Sequence, residues 1–399
     1  MLLRPKTNPG VAMPASRPLS FVHRAAVVLA TALALGVVGA CSSLTPTPSL
    51  APSPAPSLQD APRSVRMTWF GVSNWTFQIG RLNILVDGYV TRIPSDNFYG
   101  EGSGLASTKA AWPIDKARVE KVHAVLSAAP GQPIDLILSN HSHFDHSFDT
   151  PYWARLTGAR VIGPRSTCYQ VQALGVPASQ CTAVYGGETF SLDEFVTVRV
   201  VRWSHNHLPG GTPAENAAVE LAAVPTPDAQ GHLKAGITED FPNGGGSRGY
   251  LFTVRTADGR TLAFFITNTG DAGDLLQDSV TDGIHYGTPM ASLGRAMSGS
   301  KLSGVDLWIG AGGAATEAVV TPVLKPKVFL PNHLGRFAAP FERGMTTPHN
   351  DPKTDAYLAQ QGIGLAFPTQ FFDAWELDAE GVRKVDNTAM KPMKRPFGF

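Results

Sequence analysis

Residues 65–70, 75–79 and 82–86 are short, largely apolar stretches separated by glycine-containing turns. This pattern predicts three strands of a meander, closed by Asp87-Gly88. Over residues 115–129 the apolar period changes, and Ala117, Val119, Val122, Val125 and Leu126 recur at helical spacing. Residues 134–139 then read as a buried strand bounded by polar positions. Directly after it comes His141-Ser142-His143-Phe144-Asp145-His146, which reads as a short loop.

Further along, the pattern predicts helices near residues 151–156 and 169–174, and strands at 160–162, 181–185 and 196–203. The last of these runs into His205-Asn206-His207. Residues 209–248 are rich in Gly, Pro and Asp, with a strand-like stretch at 217–224. They read as an excursion over the site, where loops tend to carry specificity. A hairpin follows at 249–255 and 261–267, turning at Ala257-Asp258-Gly259, and it leads to Asp271. Strands at 305–309 and 328–330 flank a helix at 315–324, and the second strand ends in Pro331-Asn332-His333. Strands followed by helices, twice over, predict an α/β fold of two sheets between helical layers.

Composition changes this picture chiefly at the amino terminus. The chain has 399 residues, 43% hydrophobic and 16% charged, as in ordinary globular proteins. Its formal charge is +1, but Arg4, Lys6, Arg17 and Arg24 lie in a leader without acids. Setting those four aside leaves 29 of the 33 basic residues against 32 acidic ones, a net of −3. Such a balance offers no general attraction for nucleic acid.

The basic leader precedes the apolar run 25–40, too short for the roughly twenty residues of a membrane span but suited to a signal-peptide core. Val38-Gly39-Ala40-Cys41 resembles a bacterial lipobox, which implies lipidation of Cys41; an uncleaved anchor or an ordinary signal peptide is the alternative. Met13 is a second candidate start. Residues 42–63, with Thr-Pro, Ser-Pro and Ala-Pro repeats, read as an extended tether. The expected organisation is a signal peptide over 1–40, a tether over 41–63 and one globular domain over 64–399. The expected location is the bacterial cell envelope, with the domain outside the cytoplasm and attached to a membrane by lipid. In that compartment Cys168 and Cys181 are free to form a disulfide or to remain buried thiols.

Three imidazoles and a carboxylate within six positions at a strand end are costly to bury unless something binds them. Imidazole nitrogen with carboxylate oxygen suits zinc or a similar first-row ion. Further candidates stand at later strand ends: His205, Asp271 and His333. Taken singly, Asp271 reads equally as a turn or helix-cap residue, and His333 as a hydrogen-bonded surface histidine.

The order of these motifs resembles the metallo-β-lactamase superfamily over roughly residues 66–378. The matching features are Thr68 to Ile79 with Ile84 to Gly88, Ser139 to His146, the 205/207 histidine pair, Thr269-Gly270-Asp271-Ala272-Gly273 and Leu330 to His333. The resemblance is strongest to the branch that includes ascorbate-phosphate lactonases and the N-acylphosphatidylethanolamine phospholipase D type. It implies an αββα sandwich holding two divalent ions, Zn²⁺ first and Mn²⁺ or Fe²⁺ as alternatives. His141, His143 and one of His205 or His207 would bind the first ion, with His205 preferred because it comes first after the strand. Asp145, His146 and His333 would bind the second, and Asp271 would bridge. Asp87 would be a structural or supporting acid.

The activity so implied is hydrolysis of an ester, lactone or phosphodiester by a metal-bridging hydroxide, with Asp145 passing a proton to the leaving group. The substrate would be a small molecule or a lipid. Antibiotic-degrading members often use a cysteine ligand, and neither Cys168 nor Cys181 lies at a ligand position, which argues against a β-lactamase. The rival class is a metal-binding surface lipoprotein without catalysis.

Overall fold

A computed structural model describes residues 61–94, 108–127 and 133–387. The leader, Cys41 and nearly all of the tether lie outside the described residues. Among those described, no helix is long and apolar enough to cross a membrane.

Strands β1 (Val65–Trp69), β2 (Trp75–Ile79) and β3 (Leu82–Val86) form the expected antiparallel meander. Beside β3, parallel to it and to one another, lie β4 (Leu136–Leu138), β5 (Arg160–Gly163) and β6 (Cys181–Ala183). The second sheet holds β7 (Thr189–Ser191), β8 (Val196–Arg202), β9 (Arg248–Arg255), β10 (Thr261–Ile266), β11 (Val305–Gly310), β12 (Pro326–Pro331) and β13 (Gly364–Leu365). Its first four strands are antiparallel neighbours, and β10 to β13 run parallel. The chain then returns to the first sheet, where β14 (Asp373–Asp378) pairs antiparallel with β1 and with β15 (Gly381–Val385).

The two sheets meet through a shared apolar core. Phe77 of β2 packs edge-on against Phe252 of β9 and Phe264 of β10, at ring-centroid distances of 5.6 and 5.1 Å. Strand β10 shows why its sequence is apolar throughout. Leu262, Phe264 and Ile266 enter this inter-sheet core, while Ala263 and Phe265 join a second cluster on the outer face. Period-two alternation buries both faces of such a strand. The outer cluster includes Leu293, Val320 and Leu358 from helices Pro289–Gly299, Ala314–Leu324 and Pro352–Gln360. The α/β architecture of two mixed sheets flanked by helices is therefore the observed one.

Several local expectations change. Residues 217–224 form no strand, because the residue drawn inward is Glu220, not the apolar positions around it. The Glu220 carboxylate accepts hydrogen bonds from Ser166 N and Oγ, both at 2.8 Å, and pairs with Arg248 at 3.3 Å. Val219 and Val224 are left exposed. Within the histidine motif, Phe144–Ser147 forms one helical turn rather than loop, anchored by Phe144 against Tyr89. The helix expected at 169–174 begins earlier, spanning Arg165–Ala173. Helix Pro289–Gly299 was not expected, although Thr288-Pro289 is a start signal. Thr288 Oγ1 accepts from Ala291 N at 3.1 Å, with Pro289 at the first helical position.

Cys168 and Cys181 form a disulfide joining helix Arg165–Ala173 to β6. Of the two alternatives left open by the sequence, the bonded one is present.

Candidate metal centre

The candidate ligands stand just beyond the carboxyl ends of β4, β8, β10 and β12, the edge where open α/β sheets place ligands. Hydrogen bonds from small polar residues fix the histidine motif there. Ser139 Oγ donates to His141 O (2.9 Å), Ser142 Oγ to Pro242 O (2.5 Å), and Ser147 Oγ to Gln170 Oε1 (2.7 Å). Asn140 binds the β9 backbone in both directions, through Arg248 N to Asn140 O and Asn140 Nδ2 to Arg248 O.

Two groups of ligand atoms result, each confined within 4.8 Å: His141 with His143 and His205, and His141 with Asp145 and His146. His141, His143, Asp145 and His146 are buried and His205 is half-buried. His333 reaches the second group from β12, with Nε2 3.1 Å from Asp145 Oδ2 and its ring 5.1 Å from that of His146.

Among the described residues, four buried imidazole nitrogens lack hydrogen-bond partners: both of His141, and Nε2 of His143 and of His146. Leaving polar atoms buried and unsatisfied is unfavourable, and such orphans in a native fold call for an explanation. Nitrogen lone pairs converging beside a carboxylate are the donor set that zinc-like cations take. These residues fit a divalent metal.

The electrostatics agree with that fit. Burial, reinforced by the neighbouring imidazoles, holds His141 and His143 well below the usual histidine pKa, so they stay neutral, the form that ligates. Burial likewise lowers His205 to about 4. Burial alone would raise Asp145, but His146 and His333 outweigh it and keep the carboxylate ionised. For His146, burial is outweighed by Asp145 and Asp87, which draw positive charge to that point.

Supporting groups orient the rings. Asp87 Oδ2 lies 2.8 Å from His146 Nδ1 and accepts from Asn268 Nδ2 at 3.1 Å, while Asp87 Oδ1 accepts from Asn140 N at 3.0 Å. A proton on His146 Nδ1 leaves Nε2 as the free lone pair. His205 Nδ1, 2.6 Å from Asn206 O, is oriented in the same sense. On β12, Trp75 Nε1 donates to Asn332 Oδ1 and Asn332 Nδ2 to Thr267 O, fixing the strand end from which His333 projects at φ +55°. None of Asn140, Asn268 and Asn332 was given a role from sequence, although Asn140 and Asn332 lie within the quoted motifs and Asn268 directly precedes one.

His207 joins neither group. Its Nε2 pairs with Asp274 at 3.3 Å, on the exterior. Asp271 also lies outside both groups. Its Oδ1 caps the following turn, accepting from Gly273 N (2.8 Å) and Asp274 N (3.1 Å). Ser204 Oγ accepts from Asp271 N at 3.0 Å, tying that turn to the residue before His205.

No family model matches the chain. Curated relatives match parts of it. A UPF0173 metal-dependent hydrolase of Cupriavidus necator is 32% identical over 156 residues, covering 39% of this chain and 45% of that protein. Another, of Pyrobaculum calidifontis, is 25% identical over 134 residues, covering 34% and 48%. Over part of its length, the chain is similar to metal-dependent hydrolases. It spans less than half the length of the curated relatives it matches. Among solved structures, Igni18, a metallo hydrolase from Ignicoccus hospitalis, aligns with 78% of this chain and 98% of its own at 15% identity and TM-score 0.43. The metallo-β-lactamase fold protein YhfI from Bacillus subtilis aligns with 79% and 99% at 12% identity and TM-score 0.39.

Proposed function

We propose that the chain is a metal-dependent hydrolase of carboxylic ester, lactone or phosphodiester bonds. The observation that carries this reading is the set of partnerless buried imidazole nitrogens gathered beside Asp145. His141, His143 and His205 would hold one divalent ion, and Asp145, His146 and His333 a second, with Zn²⁺ the first candidate and Mn²⁺ or Fe²⁺ the alternatives. When bound, such ions lower the pKa of water and polarise the attacked carbonyl or phosphoryl oxygen.

The chain's own residues supply the rest. Neutral His141 and His143 present lone pairs without competing protons. Asp87 fixes the His146 tautomer. Asp145 Oδ2, between His146 Nε2 at 3.4 Å and His333 Nε2 at 3.1 Å, is the atom at which a proton can be held and passed to a leaving group. Asp271, which caps the turn beside His205, would bridge the two ions.

The deciding experiment is turnover of p-nitrophenyl esters, lactones and bis-p-nitrophenyl phosphate before and after chelation. Activity lost with chelator and restored by metal supports the reading. Activity that survives chelation, or that persists in Asp145→Ala/His146→Ala protein, overturns it.

The leader, Cys41 and the proline-rich tether support a second element of the proposal: export and lipid anchoring to a membrane of the cell envelope. Two or more acyl chains are needed for stable attachment. Cys41→Ala should release the protein from the membrane fraction, and unchanged fractionation would refute the anchor.

A further inference from the structure

A cavity of about 1240 Å³ has His333 in its wall, the candidate ligand that stands 3.1 Å from Asp145. Its other walls are unusual in charge. Four arginines line it, Arg92, Arg118, Arg336 and Arg343, against Asp115 as the sole carboxylate among the described lining residues. That carboxylate is already engaged, at 3.0 Å from Arg118 Nη1, and Glu342 binds Arg118 Nε at 2.8 Å. Arg118 is thus neutralised within the protein.

Among the described residues the other three have no carboxylate at ion-pair distance, although Asp149 and Asp145 act on Arg92 from further away. Arg92 is buried, with its guanidinium carbon within 5.9 Å of the Tyr89, Phe341 and Phe371 ring centroids. Its Nη1 donates to Arg336 O at 2.9 Å, while Nε and Nη2 have no hydrogen-bond partner among the described residues. Gly71, at φ +100°, leaves room for this group, since a Cβ there would lie 2.4 Å from Nη2. Desolvation pulls the Arg92 pKa down only to about 10, so it remains cationic at neutral pH. Arg336 and Arg343 are exposed, and neither side chain forms an ion pair or hydrogen bond among the described residues. Leu334, Phe337 and Ile93 supply apolar surface between them.

A pocket with apolar walls and unpaired cations recognises a molecule with an apolar body and an anionic end. We propose that this cavity selects substrates bearing a carboxylate or phosphate group remote from the bond that is cleaved, with Arg336 and Arg343 contacting that group and Arg92 adding fixed charge behind them. The inference rests on the hydrolytic reading above and names its substrate class. Arg92 also acts as a positioning residue, because its bond to Arg336 O holds the loop that follows His333.

Mono-p-nitrophenyl glutarate and p-nitrophenyl butyrate present one scissile ester with and without a terminal carboxylate. The kcat/KM ratio should favour the glutarate by about tenfold, as one charge-assisted contact provides. Arg336→Gln/Arg343→Gln should bring the ratio towards one, with metal content retained as the check on folding. A wild-type ratio near one, or a ratio unmoved in the double variant, overturns the anion site and leaves the hydrolytic reading standing. If neither ester turns over in metal-loaded protein, ester hydrolysis fails and the anion site is judged by calorimetry with amide analogues. N-(4-nitrophenyl)glutaramic acid should then bind more tightly than N-(4-nitrophenyl)butyramide, and the double variant should abolish the difference. Equal binding overturns the proposal. A phosphonate-ended analogue in the same titration distinguishes phosphate from carboxylate as the preferred anion.

Discussion

His146 Nδ1 and Asp87 Oδ2 lie 2.8 Å apart, both side chains fully buried. The two come from different strand ends, and neither has water to fall back on. Asp87 satisfies its remaining capacity through Asn140 N and Asn268 Nδ2. The pair fixes which nitrogen of His146 faces the candidate metal centre. Replacing Asp87 by Asn removes the negative charge and one of the two acceptor oxygens while keeping the shape. Metal affinity, measured by competition with a chromophoric chelator, should fall by about ten- to a hundredfold. Wild-type affinity in Asp87→Asn protein would mean that the pair does not support a metal site.

The partnerless imidazoles predict strong coupling between metal and stability. At free metal a hundred times the dissociation constant, binding should stabilise the fold by about 2.7 kcal/mol. Thermal unfolding of chelated and Zn²⁺-loaded protein should therefore differ by a few degrees. His141→Ala should abolish that difference, because His141 takes part in both groups of ligand atoms.

The Cys168–Cys181 disulfide closes a short loop between helix Arg165–Ala173 and β6, with a sequence separation of 13. Restricting such a loop in the unfolded chain is worth about 3 kcal/mol. Cys168→Ser/Cys181→Ser protein should lose about that much in urea denaturation under non-reducing conditions. An unchanged midpoint would place the bond outside the folding equilibrium.

Glu317 predicts a pH dependence with a defined sign. Burial lifts its carboxyl pKa to about 7, against the hydrogen bond from Thr354. Between the ordinary glutamate range and about pH 7 the folded state holds a proton that the unfolded state has released. Stability contributed at this site should therefore decline as pH rises through that window and level off above it. The full effect is about 3 kcal/mol. Glu317→Gln should flatten this part of the stability profile and exceed the wild type at pH 8. An identical slope in both proteins would refute the assignment.

Much of this architecture was legible in the chain. The meander, the strand before the histidine motif and the 249–267 hairpin are set by local apolar periodicity and turn residues, which act over a few positions. Residues 217–224 misled because alternation alone does not say which side chain is drawn inward, and the Glu220–Arg248 ion pair decided it across 28 positions. The turn at Phe144–Ser147 was hidden for a similar reason, since four residues are too few for a helical period and Phe144 holds it through Tyr89.

The sequence by itself determined which chemistry is available: imidazoles and carboxylates at successive strand ends, because strand ends are marked locally by where apolar runs stop. Only the tertiary structure decided how those groups divide. His205 meets His141 and His143, while His207 turns outward to Asp274. Asp271 caps a turn, and Asp87 supports His146 from behind. Those outcomes depend on distances between strands that are far apart in the chain, and side-chain spacing along one strand carries no record of them.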